Sequence, residues 1–247
     1  MGRVERTAVR TRVRPVTGWW LDAALLVAFG LLTLALARGH LLSADEAVAD
    51  WALAHQPVPL HWAARVLNYL GQGGQVLMPV AGLLALLLAR RTRSVRPVLV
   101  CAGAFVLTYL TIGPLKVWLD RAAPKFHGPQ RAVLFNAYAS GKDALSYPSG
   151  HVANALVWYG VIALLAGALL RAYGRGPLSS RARAALRLLP PVIVFCTTTY
   201  LAFHWITDSV AGLLLGLILA RLMARVPWDA VPLPRLPGGV DRPAGLT

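Results

Sequence analysis

The chain of 247 residues is 57% hydrophobic and only 14% charged, with a mean hydropathy of +0.57, which excludes an ordinary soluble domain. Its net charge of +15 does not mark a nucleic-acid binder, because the arginines alternate between connections instead of forming one basic face. The class expected is an all-α polytopic membrane protein, a six-helix bundle with an outer-face site.

Residues 1–18 form a basic arm with Arg3, Arg6, Arg10, Arg12 and Arg14. The first apolar run, 19–37, ends in Ala35-Leu36-Ala37 and imitates a cleavable signal. It is longer than the roughly 7–15-residue core of such signals, so it reads as a retained span. The segment 43–70 mixes Asp45, Glu46 and Asp50 with Trp51, Trp62 and Tyr69. That composition predicts amphipathic helices at the membrane interface, packed over the bundle. Further spans are expected at 74–89, 97–115, 152–172, 190–207 and 209–224, each near the roughly 20 residues a bilayer requires. Cys101 and Cys196 fall inside them and carry no redox signal. The tail 227–247, rich in proline and glycine, is expected to be disordered.

Four segments carry the arginine excess: the arm, residues 90–96, residues 171–187, and the stretch from Arg221 to Arg242. The positive-inside rule makes them cytoplasmic and puts both termini inside. The segments 38–73 and 116–150 and the turn near 204–208 then face outward. The chemically suggestive residues all lie on that outer side.

The first group is Lys116, Arg121 and Pro124. The second is Tyr-Pro-Ser-Gly-His at 147–151, where Pro148 suits a first helical turn and Ser149 and Gly150 present backbone N–H groups. A helix start attracts anions through its unpaired donors and its dipole, so His151 is placed to meet a phosphate. The third is His204 with Asp208 four residues later, a spacing that lets a carboxylate orient one ring nitrogen and free the other. The two imidazoles are expected to face each other across a pocket large enough for one phosphate. His40, His55, His61 and His127 have no such partner spacing.

These three groups, in this order, resemble the motifs of the type-2 phosphatidic acid phosphatase superfamily over about 100–224. The resemblance implies that His204 is the nucleophile, Asp208 its orienting carboxylate and His151 the general acid. The residue chemistry agrees independently: metal-free phosphate-ester hydrolysis needs positive charge around the equatorial oxygens, and Lys116, Arg121 and the Ser149 and Gly150 amides are the groups expected to bind the phosphate. The chain departs from the pattern twice: Ala123 stands where an arginine precedes the motif proline, and Thr197-Thr198 stand where Ser-Arg precedes the nucleophile. Threonine replaces a charged fork with one neutral donor; Arg121, Lys125, Arg131 and Lys142 are the cations available to compensate.

The activity implied is a metal-independent phosphatase acting on a lipid or polyprenyl phosphate or diphosphate through a phosphohistidine. Two alternatives stay open, a lipid phosphotransferase that passes the group to a hydroxyl and a non-catalytic binding protein. No Cys/His spacing indicates a metal and no glycine-rich loop follows a strand, so no cofactor is expected. The partners expected are the lipid substrate and the bilayer, with no nucleic acid.

Overall fold

A computed structural model describes residues 18–246; the basic arm over 1–17 and Thr247 lie outside the described residues. No strand occurs among them. The helices are α1 (Trp19–Ala37), α2 (Leu42–Ala54), α3 (Val58–Asn68), α4 (Met78–Thr92), α5 (Arg96–Leu119), α6 (Gly150–Ala172), α7 (Ser180–Tyr200) and α8 (Ile206–Arg225). A π-turn over Gly73–Leu77 leads into α4, and with it the stretch Gly73–Thr92 reaches membrane length.

Among the described residues five helices are long and apolar enough to cross a membrane: α1, α4 with its π-turn, α5, α6 and α8. They differ in what they face. In α6, 72% of the apolar stretch is buried inside the protein, against 17% in α1 and 22% in α5. Helix α6 is therefore the axis of the bundle, packed by α4, α5, α7 and α8, and α1 lies outside against α8. Small residues allow the closest approach. A Cβ on Gly216 of α8 would lie 2.9 Å from the Ala153 Cα of α6, a backbone contact of the kind by which membrane helices associate.

Helix α7 differs from its expected span at both ends. It starts ten residues earlier, where Ser179 accepts the Ala182 N–H at 3.1 Å, and Pro190 and Pro191 lie within it. Alanine, leucine and arginine fill its first turns, all strong helix formers, and its three arginines make it less apolar than the bilayer-length helices. At the other end it stops at Tyr200. Ala202 adopts φ 52°, the Ala202 N–H reaches the Thr199 carbonyl and the Phe203 N–H reaches the Thr198 carbonyl, both at 3.0 Å. This is a left-handed terminating turn with alanine where glycine is usual, so the expected span to 207 is interrupted and His204 emerges just beyond it.

The segment expected at the interface forms α2 and α3. Trp51, Trp62, Val66 and Tyr69 are exposed, while Asp45, Ala49 and Ala52 turn inward. The tail is not the disordered segment expected from its composition. Arg96, at the start of α5, donates to the carbonyls of Trp228, Val231 and Asp241 at 2.6–3.0 Å. Asp229 in turn accepts the Ala244 and Leu246 N–H groups. The buried Arg96 guanidinium and the half-buried Asp229 carboxylate thus tie the tail down, and Ala244 and Leu246 are buried with it.

Candidate active site

The N-terminal mouths of α6 and α8 meet. Ser149, the N-cap of α6, donates its N–H to the Asp208 carbonyl at 2.9 Å. Pro148 precedes this cap and lies outside the helix, not in its first turn. The Ser149 amide is consequently occupied by protein and is not offered to a ligand, contrary to its expected role. The Gly150 amide, at the first helical position, is one of the donors with no carbonyl a turn below it. A Cβ on Gly150 would meet Lys116 Cε at 3.3 Å, so glycine lets the lysine stem cross the helix mouth. Lys116 Nζ donates to the Leu145 and Ser146 carbonyls, which anchors the ammonium at the rim of the site.

His151 and His204 come together. His151 Nδ1 lies 3.4 Å from His204 Nε2, with ring centroids 5.5 Å apart and planes at 68°. This contact closes the pocket expected between them, because no phosphorus atom fits between nitrogens at that separation. Behind His204, the Asp208 Oδ2 stands 3.5 Å from Nδ1. That is beyond hydrogen-bond length, and Nδ1 is buried without a hydrogen-bond partner. Catalytic hydrogen bonds in unliganded sites are commonly long and tighten on binding. Burial pushes His204 below the ordinary imidazole range, against the pull of Asp208.

Arg121 is not where a phosphate ligand belongs. It is fully buried, and its donors are spent on protein groups. Nη1 reaches Asp208 Oδ1 at 2.6 Å and Thr207 Oγ1 at 2.8 Å. Nη2 reaches Asp45 Oδ2 at 2.6 Å and the Ala132 carbonyl at 2.7 Å, and Nε also reaches Ala132. Burial alone would lower its pKa, but the carboxylates of Asp208 and Asp45 outweigh that and raise it. The expected phosphate ligand is thus a structural cation behind Asp208 and His204.

Asp45 is the residue that sequence reasoning did not place in the site. It accepts from Arg121, from the Thr207 N–H at 3.0 Å and from the Thr207 hydroxyl at 2.6 Å. The available signal was its register: 45, 49 and 52 make one helical stripe whose other members are alanines, a face that is buried by spacing.

Among the compensating cations, Arg131 is engaged by Asp50 at 2.7 Å and stacks over Trp205. Lys125 Nζ stands 4.8 Å over the Phe203 ring, beside His204; burial and the nearby Arg65 lower its pKa. Thr198 is fully buried with an unpaired hydroxyl, so no charge replaces the absent arginine at that position. Among the described residues no group of three or more His, Cys, Asp or Glu side chains is placed to hold a metal ion.

A pair of imidazoles brought together at two helix mouths, on helices of bilayer length, defines the class as an integral membrane protein with a paired-histidine site. Within that class the chain belongs to the PAP2 superfamily, whose family model matches residues 97–232, from the start of α5 past the end of α8. It is similar to phosphatidylglycerophosphatase B of Bacillus subtilis (strain 168), with 27% identity over 205 residues that cover 81% of this chain and 91% of the relative. The fold also matches the crystal structure of a transmembrane PAP2 type phosphatidylglycerolphosphate phosphatase from Bacillus subtilis. That match has a TM-score of 0.66 and 24% identity, covering 83% of this chain and 94% of the other. These likenesses set the chain among PAP2-type membrane lipid phosphatases.

Proposed function

We propose that the protein hydrolyses a lipid phosphate monoester, with His204 as nucleophile and a phosphohistidine as intermediate. The observation that carries this reading is the approach of His204 Nε2 to His151 Nδ1, with the Asp208 carboxylate on the opposite side of the His204 ring. The Nε2 lone pair attacks phosphorus and the ester P–O bond breaks. His151 delivers a proton to the leaving oxygen and then, as base, takes one from the water that cleaves the P–N bond. The phosphate meets the pair from the rim, where Lys116 and the Gly150 amide face it, and His151 swings aside to admit it.

The head group proposed is that of the relatives, a phosphatidylglycerol phosphate. A monophosphate is favoured over a polyprenyl diphosphate because Arg121 is consumed internally and positions 123 and 198 carry no charge, so the cationic set is small. In the membrane, α7 is read as the sixth span, with the site on the outer face and both termini cytoplasmic.

The test is release of inorganic phosphate by the purified protein in detergent from phosphatidylglycerol phosphate, phosphatidic acid and a polyprenyl diphosphate. Hydrolysis of the monoesters that His204→Ala abolishes supports the reading, and release from the diphosphate alone refutes it. The phosphotransferase reading is favoured by the neutral Thr198 and Ala123, and transfer of labelled phosphate to an added lipid hydroxyl in preference to water would establish it.

A further inference from the structure

We propose that Asp45 of α2 is a positioning residue for the nucleophile, acting through Arg121 on Asp208. This rests on His204 being the nucleophile. The carboxylates of Asp45 and Asp208 share one guanidinium, and all three side chains are inaccessible to solvent. A guanidinium facing a single carboxylate grips both of its oxygens. Here Nη2 is held by Asp45 and Ala132, so Arg121 gives Asp208 only Nη1, on Oδ1. Oδ2 is left to the Trp205 N–H at 3.0 Å and to His204.

Asp45 also offsets part of the Arg121 charge that Asp208 would otherwise face alone. Facing His204 are Asp208 from α8, His151 from α6, Lys116 from α5 and the Ser146 backbone from the preceding loop, with Arg121 behind Asp208. Without Asp45 the Arg121 charge falls wholly on Asp208, and the carboxylate is drawn away from the imidazole. Thr207 locks the arrangement by giving both its N–H and its hydroxyl to Asp45. The outer helix α2 is thereby a working part of the site.

The test is the pH profile of kcat/KM for phosphatidic acid in detergent micelles. Asp45→Asn keeps the shape and removes the charge. Its expected effect is a fall in kcat of tenfold or more, KM within about twofold, and a shift of the acidic limb to lower pH, since the surroundings of His204 become more positive. The double variant Asp45→Asn with Arg121→Met removes the guanidinium as well, leaves Asp208 unopposed and moves the limb above that of the unsubstituted protein. Shifts of opposite sign support the proposal. A pH-independent loss in both variants, or no change, overturns it. If Asp45→Asn does not fold, the double variant against the unsubstituted protein decides alone: no upward shift overturns the proposal. Trapping labelled phosphate on His204 and losing it in His204→Ala tests the underlying reading separately, because that result does not involve Asp45.

Discussion

The Ser149 N–H and the Asp208 carbonyl, 2.9 Å apart, tie together the two helix mouths that carry the histidines. The contact depends on Gly212, because a Cβ there would lie 2.5 Å from the Ser149 carbonyl oxygen. Two motifs separated by more than fifty residues therefore share one backbone junction, and the His151–His204 distance is set by it.

Gly212→Ala pushes α8 off α6 at this junction. Overpacking of this kind costs about 1–3 kcal/mol, so the variant should melt earlier in detergent and lose turnover together with stability. Unchanged thermal unfolding and kinetics would show that the mouths meet without this close approach.

His204→Ala should eliminate turnover. His151→Ala should retain far more activity on an aryl phosphate than on an alkyl phosphate, because only the poor leaving group needs a proton. Equal losses on both substrates, measured as kcat, would remove His151 from the acid role.

Since burial lowers the His204 pKa and only the neutral ring has a lone pair to attack, activity should persist into mildly acidic solution. The acidic limb of kcat/KM is expected below the ordinary imidazole value of about 6.5. A limb above neutrality would mean that the ring is charged at rest or that another group limits the reaction.

Arg121→Ala leaves two buried carboxylates without their cation, a loss on the order of 3–5 kcal/mol for a broken buried pair. Its signature should be destabilisation, read by thermal unfolding. Lys116→Met should instead weaken inhibition by inorganic phosphate about tenfold with little effect on melting. Reversed signatures would restore Arg121 to the phosphate and make Lys116 structural.

Arg96→Ala should loosen the tail from the start of α5. Its three carbonyl contacts are charge-assisted, each worth about 1.5–3 kcal/mol, so melting should fall clearly while kcat stays within about twofold. A kcat collapse would couple the tail to the distant site.

Legibility followed interaction range. Bilayer-length apolar runs, the alternating arginines and the three motif groups are local patterns, and the PAP2 membership of the chain bears out the resemblance read from them. The end of α7 was misread because Ala202 occupies a left-handed position that alanine does not advertise. The tail was misread because its order comes from Arg96 and Asp229, residues whose partners are carbonyl and amide groups with no sequence signature.

The sequence by itself determined a helical membrane protein and named His151, His204 and Asp208, since hydrophobic period and motif spacing act within one helix or one turn. Only the tertiary structure decided what Arg121 does. Its charge could have faced a phosphate or a carboxylate, and the choice depends on Asp45, which lies 76 positions away and meets it only after α2 folds over the mouth of α8. In a buried site a cation goes to the nearest uncompensated anion, and which anion is nearest is a property of packing.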